Sequence, residues 1–258
     1  MQKTLLIFTL ILSMSALLFL ACGDNSTDSN ADTEFASQII GSSTSLAINY
    51  LAVYVGGGAA IYAGGVFNVI DSTADPTFIY DINNYWWTYN NSYADTETAY
   101  ILNCVYRDSV RISADSIYQI DVNDSTDMIE YISYCENTYD YSAGVTNGIT
   151  YNMSGQFESA AEDTLSLNGD FIFSHPYAME YYEYDLSMEG EYSDFVIVNE
   201  TILSGLITAD IELSVNGDSL SSDQAGDFAA TVEITILNDT YQAVFNIEGD
   251  IYTDEGNL

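Results

Sequence analysis

Basic residues are almost absent from this sequence. Its 258 residues contain only Lys3, Arg107 and Arg111 against 39 Asp and Glu, for a formal net charge of −36. Nucleic acids and anionic lipid headgroups are bound through positively charged surfaces. The composition therefore argues against a nucleic-acid partner, and it is compatible with metal ions, cationic partners or a saline medium.

Side chains that carry common catalytic chemistry are equally scarce. His175 is the only histidine, so no second imidazole supports a zinc site. The chain has no Gly-x-Ser-x-Gly motif, phosphate-binding loop or dinucleotide-binding glycine pattern. We expect His175, which directly follows a predicted strand, to be structural. A catalytic pair of carboxylates is kept as an alternative, because a glycosidase-type pair of acids leaves no local sequence signature.

The chain begins with an apolar run that is short for a membrane span. Residues 1–21 contain Lys3 and then a mostly apolar run from Leu5 to Leu20, and a polar stretch starts at Gly23. A spanning helix needs about 20 predominantly apolar residues. The pattern predicts a cleavable signal peptide over residues 1–21.

The end of this run reads Phe19-Leu20-Ala21-Cys22-Gly23. It resembles the lipobox of bacterial lipoprotein precursors, where a small residue precedes a lipid-modified cysteine, and the resemblance covers residues 1–23 only. It implies lipidation of Cys22, and several acyl chains together anchor a protein stably. The resemblance therefore implies a membrane partner and a place in the cell envelope. Gly23 is typical of the class sorted to the outer membrane, with a periplasmic or surface-exposed domain.

Three regions follow from these observations. Residues 1–21 are the signal peptide, 22–34 the lipidated cysteine with a polar tether, and 35–258 a single domain. Loss of Lys3 with the signal peptide moves the formal charge from −36 to −37. The chain is 48% hydrophobic with 22 Tyr and 11 Phe, so it has the side chains for a core despite its charge.

The segment Leu46–Phe67 is apolar and rich in Gly and Ala, and no charge occurs between Glu34 and Asp71. Each of its glycines costs a water-exposed helix about 1 kcal/mol relative to Ala, so its stability must come from burial. We expect one helix, or two short ones, packed against a sheet. A hairpin turning at Gly56–Gly58 is the second interpretation. A membrane-spanning helix is the third, since no Lys or Arg flanks the segment.

From Thr77 onward, apolar residues recur at every second position. Examples are Tyr151, Met153 and Phe157; Leu165, Leu167, Phe171 and Phe173; and Ile207, Ile211, Leu213 and Val215. Such alternation is typical of antiparallel strands with one buried and one wet face. We predict a mainly-β fold, a curved antiparallel sheet or barrel of about ten strands. The predicted strands lie near 78–90, 95–107, 110–120, 127–135, 147–158, 163–174, 180–193, 202–215, 228–237 and 241–252.

Several of these strands contain the same short pattern: an apolar residue, then a polar residue, then glycine. The glycines concerned are Gly155, Gly169, Gly190, Gly205 and Gly249. Each lies on the apolar parity of its strand, which opposes a simple turn. Glycine inside a strand marks bending or close approach of another group. We expect a furrow across the buried face, filled by Leu46–Phe67 or else by an apolar ligand, and we favour the former.

Cys104 and Cys135 remain after lipidation of Cys22, and an oxidising envelope favours a disulfide between them. If the predicted strands between 95 and 135 formed a plain meander, the two cysteines would flank one strand, about 9–10 Å apart. A disulfide allows roughly 7 Å between Cα atoms. We therefore expect a bulge, a shifted register or another strand order.

An oxygen-rich run is the single candidate metal site. It comprises Asp121, Asn123, Asp127 and Glu130, whose side chains are ligands suited to calcium. The run lacks the glycine and the distal glutamate of an EF-hand loop. A solvated turn between strands is therefore the main interpretation, and no other cofactor is indicated.

Two classes of function fit these observations. The first is a membrane-anchored envelope lipoprotein whose β domain binds a partner or has a structural role without catalysis. The second is a carrier whose concave apolar face holds a lipid or other hydrophobic ligand, an analogy at the level of the fold. A hydrolase that uses paired carboxylates is the third possibility.

Overall fold

The computed structural model describes the following residues: 31–72, 79–81, 86–96, 100–113, 128–141, 144–161, 164–199, 201–222 and 224–258. One helix precedes eleven strands in this part of the chain. The helix is α1 (Ala31–Ser72). The strands are β1 (Ile79–Asp81), β2 (Trp86–Thr96), β3 (Tyr100–Ser113), β4 (Met128–Tyr141), β5 (Val145–Ala161), β6 (Thr164–Ala178), β7 (Glu183–Val198), β8 (Thr201–Asn216), β9 (Gly226–Leu237), β10 (Thr240–Ile247) and β11 (Asp250–Asn257).

The strands form one antiparallel sheet in which each strand pairs with its neighbours in sequence. Among the described residues β1 and β11 do not pair, so the sheet is curved but not closed into a barrel. The prediction of a mainly-β antiparallel fold with an N-terminal apolar helix packed on it is confirmed. The strand order is a plain meander, so another strand order, one of the three alternatives expected around Cys104 and Cys135, is not observed.

Alternating side chains divide the sheet into an inner and an outer face. The inner face carries the apolar set, and each of the eleven apolar residues named above is buried. One irregularity occurs in β7, where Asp194 has a φ of 56° and the register shifts. The irregularity interrupts the alternation of side chains, so Tyr192 and Phe195 are both buried on the inner face although they are three residues apart.

Helix α1 lies on the inner face and contacts β4 to β8, β10 and β11. Near its start Thr33 donates a hydrogen bond to Asp250 Oδ2 at 2.9 Å. Further along, the Tyr54 hydroxyl donates to the backbone carbonyl of Tyr131 at 2.7 Å, and the two rings stack with centroids 4.8 Å apart. The buried residues of the helix recur with the helical period. They are Thr33, Ala36, Ile39, Ile40, Ser43, Thr44, Ala47, Ile48, Leu51, Tyr54, Val55 and Ala59.

The observed helix corrects two expectations. Because α1 is continuous through Gly56–Gly58, the hairpin interpretation is wrong. Because α1 begins at Ala31, the last residues assigned to the tether 22–34 belong to the helix. The part Thr33–Ala60 is long and apolar enough to cross a membrane, and half of its apolar window is buried within the protein. Burial against the sheet gives this segment the stability that its glycines lack.

Two predicted strand boundaries also differ from the structure. The break expected between strands at 95–107 and 110–120 is not observed, because β3 (Tyr100–Ser113) runs through Asp108 without a turn. Residues 114–120 of the second predicted strand lie outside the described residues. The strand expected at 241–252 is instead the hairpin of β10 and β11. Its two-residue turn contains Glu248 and Gly249, with φ values of 51° and 104°. Positive φ at both positions is what a tight hairpin turn of matching twist requires.

Candidate functional site

Glycines of α1 allow the helix to approach the sheet closely. A Cβ atom on Gly58 would overlap the ring of Phe157, and one on Gly57 would lie 3.2 Å from the Tyr131 hydroxyl. Gly41 and Gly56, by contrast, have nothing within 4 Å of the same position. The close fit is therefore confined to the side of α1 that faces the sheet.

The predicted furrow is filled by a side chain of the sheet. Gly155 and Gly169 pair across β5 and β6. A Cβ on either would lie 2.5 Å from the hydroxyl of Tyr192, which donates to the Ser154 carbonyl at 2.6 Å. Tyr192 in turn meets Tyr54 of α1 edge-on, with ring centroids 6.1 Å apart. The helix therefore covers Tyr192 and does not itself enter the furrow.

The other three glycines of the repeat do not extend this furrow. A Cβ on Gly190 would overlap the Thr208 backbone carbonyl, and one on Gly205 would lie 2.5 Å from the Phe195 ring. Gly249 lies in the β10–β11 turn, where Asn246 Oδ1 accepts a hydrogen bond from its N–H at 3.0 Å. The assignment of Gly249 to the buried face is therefore wrong, since its positive φ serves the turn.

A polar cluster lies on the inner face of β3 and β4. Asp108 pairs with Ser133 across the two strands. Burial raises the pKa of the Asp108 carboxyl, although hydrogen bonds from Ser133, Tyr106 and Tyr131 act in the opposite direction. Its Oδ1 has no hydrogen-bond partner. Burial also raises the pKa of Tyr106 to about 12, so the cluster favours neutral groups over charged ones.

Cys104 and Cys135 lie in the same part of the inner face. Cys104 pairs with Asn137 and Cys135 with Tyr106, so the cysteines occupy neighbouring strands, two residues out of register. Both are buried free thiols, and burial together with the adjacent Cys104 raises the pKa of Cys135 to about 12. Of the three alternatives expected for this region, the structure has a register that differs from the one assumed for the meander, because β3 extends through residue 108 and the cysteines lie on adjacent strands. The disulfide between them stays a prediction.

His175 lies within β6 and is fully buried, whereas the sequence placed it after a strand. Asn147 Oδ1 lies 2.9 Å from its Nε2, and Ser43 Oγ of α1 lies 2.8 Å from its Nδ1. Burial lowers the pKa of His175 to about 4. The imidazole is therefore neutral at pH 7, with Nε2 donating to Asn147 and Nδ1 accepting from Ser43. It joins the helix to the sheet.

The predicted calcium ligands are only partly within the described residues. Asp121, Asn123 and Asp127 lie outside them, as does Cys22. Glu130 forms an ion pair with Arg111. In the described ranges no group of three or more His, Cys, Asp or Glu is placed to hold a metal ion.

The outer face carries a groove of about 1050 Å³ that extends from β4 to β10. Two rows of directly paired residues cross this outer groove. The first row is Ser154, Asp170, Glu191, Thr208, Glu233 and Val244. The second row is Asn152, Ile172, Glu189, Asp210, Thr231 and Asn246. Sequence reasoning missed this surface, because it assigned these residues only to the wet faces of separate strands.

The rows place like charges side by side. Asp170 is directly opposite Glu191, and Glu189 is directly opposite Asp210. Like charges at directly opposed positions destabilise a sheet. None of the residues that line the outer groove is basic, so no side chain there neutralises these carboxylates.

The two faces therefore offer different chemistry. The inner face is covered by α1, and burial there raises the pKa of Asp108 and of the neighbouring tyrosines. The outer groove combines carboxylates with exposed apolar side chains, since Ile172 is 50% and Val244 38% exposed. Comparison of the chain with protein-family models, with curated protein sequences and with solved structures finds no match.

Proposed function

We propose that the mature chain is an envelope lipoprotein, anchored through lipid on Cys22, whose β domain is a non-catalytic binding or structural module. The observation that carries the proposal is that the protein's own helix covers the apolar face of the sheet. Ile40 and Val55 of α1 are 0% exposed and Tyr54 is 2% exposed. A surface that is already occupied in this way has little room for a hydrophobic ligand.

The carrier interpretation would require α1 to leave the inner face. Release of the helix would break the hydrogen bonds of Tyr54 to Tyr131 and of Ser43 to His175. It would also expose the buried apolar side chains of α1, at roughly 25 cal/mol for each Å² of apolar surface. These losses oppose ligand exchange on the inner face, and they leave the outer groove as the accessible surface of the domain.

Detergent phase partition tests the anchor. The wild type should enter the detergent phase, and mass spectrometry should find acyl groups on an amino-terminal peptide that begins at Cys22. Cys22→Ser should stay in the aqueous phase, while the control Cys104→Ser should partition like the wild type. A wild type that is cleaved elsewhere and stays aqueous would show that the lipoprotein assignment is wrong.

Solvent extraction tests the covered inner face. Purified wild type should release no stoichiometric lipid or other apolar molecule, as judged by mass spectrometry of the extract. Acyl groups on Cys22 are covalent and therefore remain with the protein. One released ligand for each chain would favour the carrier over the module proposed here.

A further inference from the structure

The outer groove has a charge pattern that a partner of opposite charge would stabilise. We propose that it binds a basic, extended segment of a partner protein. This inference rests on the proposed binding role of the domain and names the partner class. Three features carry it: the opposed carboxylates, the exposed apolar side chains of Ile172 on β6 and Val244 on β10, and the distance between these two side chains.

The carboxylates form the centre of the proposed site. Glu189 and Asp210 face each other across β7 and β8, and Asp170 and Glu191 face each other across β6 and β7. Each pair is destabilising in the free protein, because like charges are directly opposed. Among the described residues the basic side chains both lie on β3, outside the groove. A concave surface with one sign of charge concentrates its potential and attracts the opposite charge.

Apolar side chains distinguish the groove from a simple counter-ion site. Ile172 lies in the groove on β6 and is 50% exposed, and Val244 lies in it on β10 and is 38% exposed. Small hydrated cations would neutralise the carboxylates and leave these two side chains in water. A segment with apolar residues on either side of its basic ones would cover both, and removal of their apolar surface from water would favour binding.

The strand spacing defines the length of that segment. Neighbouring strands lie about 4.8 Å apart, so Ile172 on β6 and Val244 on β10, four strands apart, are separated by about 19–20 Å. An extended chain rises about 3.3 Å per residue, and alternate side chains point to the same side. Seven residues therefore span the distance between Ile172 and Val244, with apolar side chains at positions 1 and 7. Basic side chains at positions 3 and 5 would then lie over the carboxylates of β7 to β9.

Other occupants fit less well. A second copy of this chain carries the same net negative charge, so the groove would repel it. Nucleic acids and anionic lipid headgroups would be repelled for the same reason. A basic protein segment with flanking apolar residues complements both the carboxylates and the exposed side chains of Ile172 and Val244. The inferred motif is apolar-x-basic-x-basic-x-apolar in an extended conformation.

Two synthetic peptides of equal composition test the inferred spacing. The first is acetyl-Ile-Ser-Lys-Ser-Lys-Ser-Val-amide, and the second has Lys at positions 1 and 7 with Ile and Val at positions 3 and 5. Fluorescence anisotropy with the purified full-length protein should give about tenfold tighter binding of the first, about 1.4 kcal/mol. Equal affinity for the two peptides would overturn the inferred motif.

A charge-matched pair of variants tests the location. The groove variant carries Glu189→Gln, Glu191→Gln and Asp210→Asn. It should bind the first peptide at least about tenfold more weakly than the wild type, about 1.4 kcal/mol. Its own melting temperature should rise, because like-charge repulsion is removed. That rise also shows that the variant is folded.

The control variant removes the same charges outside the groove, with Asp185→Asn, Glu212→Gln and Glu255→Gln. It should keep the peptide affinity of the wild type and show a smaller rise in melting temperature. Equal loss of affinity in the two variants, or no binding of the first peptide, would overturn the inference. Neither result would affect the lipid anchor or the covered inner face, which detergent partition and solvent extraction test separately.

Discussion

The two faces of the sheet differ in how fully the protein's own groups cover the inner side chains and neutralise the charges of the outer ones. On the inner face, Tyr192 lies over Gly155 and Gly169, and α1 covers Tyr192. On the outer face, Glu189 and Asp210 stand opposite each other without a basic neighbour in the groove. The inner face is thus filled mainly by the protein's own side chains, although Asp108 Oδ1 has no hydrogen-bond partner there. The outer groove, by contrast, would gain stability from a ligand of opposite charge. This contrast is the reason to assign binding to the outer face.

The largest effect is expected from filling the glycine pair of the inner face. A Cβ on Gly169 would overlap the Ser154 backbone carbonyl, so Gly169→Val should force two strands apart. Overpacking typically costs about 1–3 kcal/mol, and a value at the upper end is expected here because backbone must move. Urea unfolding of Gly169→Val measures the loss. Thr235→Val, on the exposed side of β9, is the control and should change stability little. A loss below about 1 kcal/mol would mean that the glycine pair is not closely packed.

A disulfide between Cys104 and Cys135 would lock β3 to β4 beneath the helix. Closure of a loop of this length stabilises a protein by about 3 kcal/mol. Oxidised wild type should therefore unfold at higher urea concentration than reduced wild type. The double variant Cys104→Ser, Cys135→Ser should not respond to reductant. Two titratable thiols in the oxidised, unfolded wild type would refute the disulfide.

The inner face should also be sensitive to acid through His175. Its folded-state pKa of about 4 lies below the usual histidine pKa of 6.5. The unfolded state therefore binds a proton first, and stability present above pH 6.5 is lost as the pH falls towards 4, by up to about 3 kcal/mol. Urea unfolding at pH 7 and pH 4.5 measures the change. His175→Gln should lose less stability over this interval, since its carboxylates titrate like those of the wild type. The same pH dependence in both proteins would contradict the buried neutral imidazole.

Alanine substitution at two glycines of α1 should change the stability of the protein by smaller amounts, with opposite signs at the two positions. Gly56→Ala meets nothing within 4 Å and should stabilise the helix by about 1 kcal/mol. Gly58→Ala would overlap the Phe157 ring and should destabilise the protein by about 1–2 kcal/mol. Thermal unfolding of the two variants compares them directly. Stabilisation by both substitutions would indicate that α1 does not approach β5.

The inner face could be predicted from the period of two in the sequence, because burial of Phe157, Leu167 and Ile211 depends on parity alone. Asp108 was wrongly placed between two strands, since an acid between two arginines has the composition of a turn. In the fold it faces inward, where hydroxyls donate to it. Gly249 has the same neighbouring residue types as the glycines inside strands, so the sequence alone does not distinguish them. Its φ of 104° shows that it belongs to a turn.

The outer groove could not be predicted from single strands. Glu189 and Asp210 are ordinary exposed acids within β7 and β8, and their opposition depends on the register between the strands. The register between β7 and β8 passes through a bulge near Asp194, which the alternation of the sequence does not reveal. The register of β3 with β4 was likewise misassigned, near Asp108. His175 was expected to be structural, but its contact with Ser43 joins residues 132 positions apart and has no local signal.

The most direct test of the account compares two valines that lie two positions apart on α1. Val53 is 63% exposed, and Val55 is 0% exposed against the sheet. Val53→Cys and Val55→Cys are treated with a membrane-impermeant maleimide, with the wild type as the baseline for the native cysteines. The thiol at position 53 should react at once, and the thiol at position 55 only after urea unfolds the protein. Equal reaction of both thiols in the native protein would contradict a helix that covers the inner face.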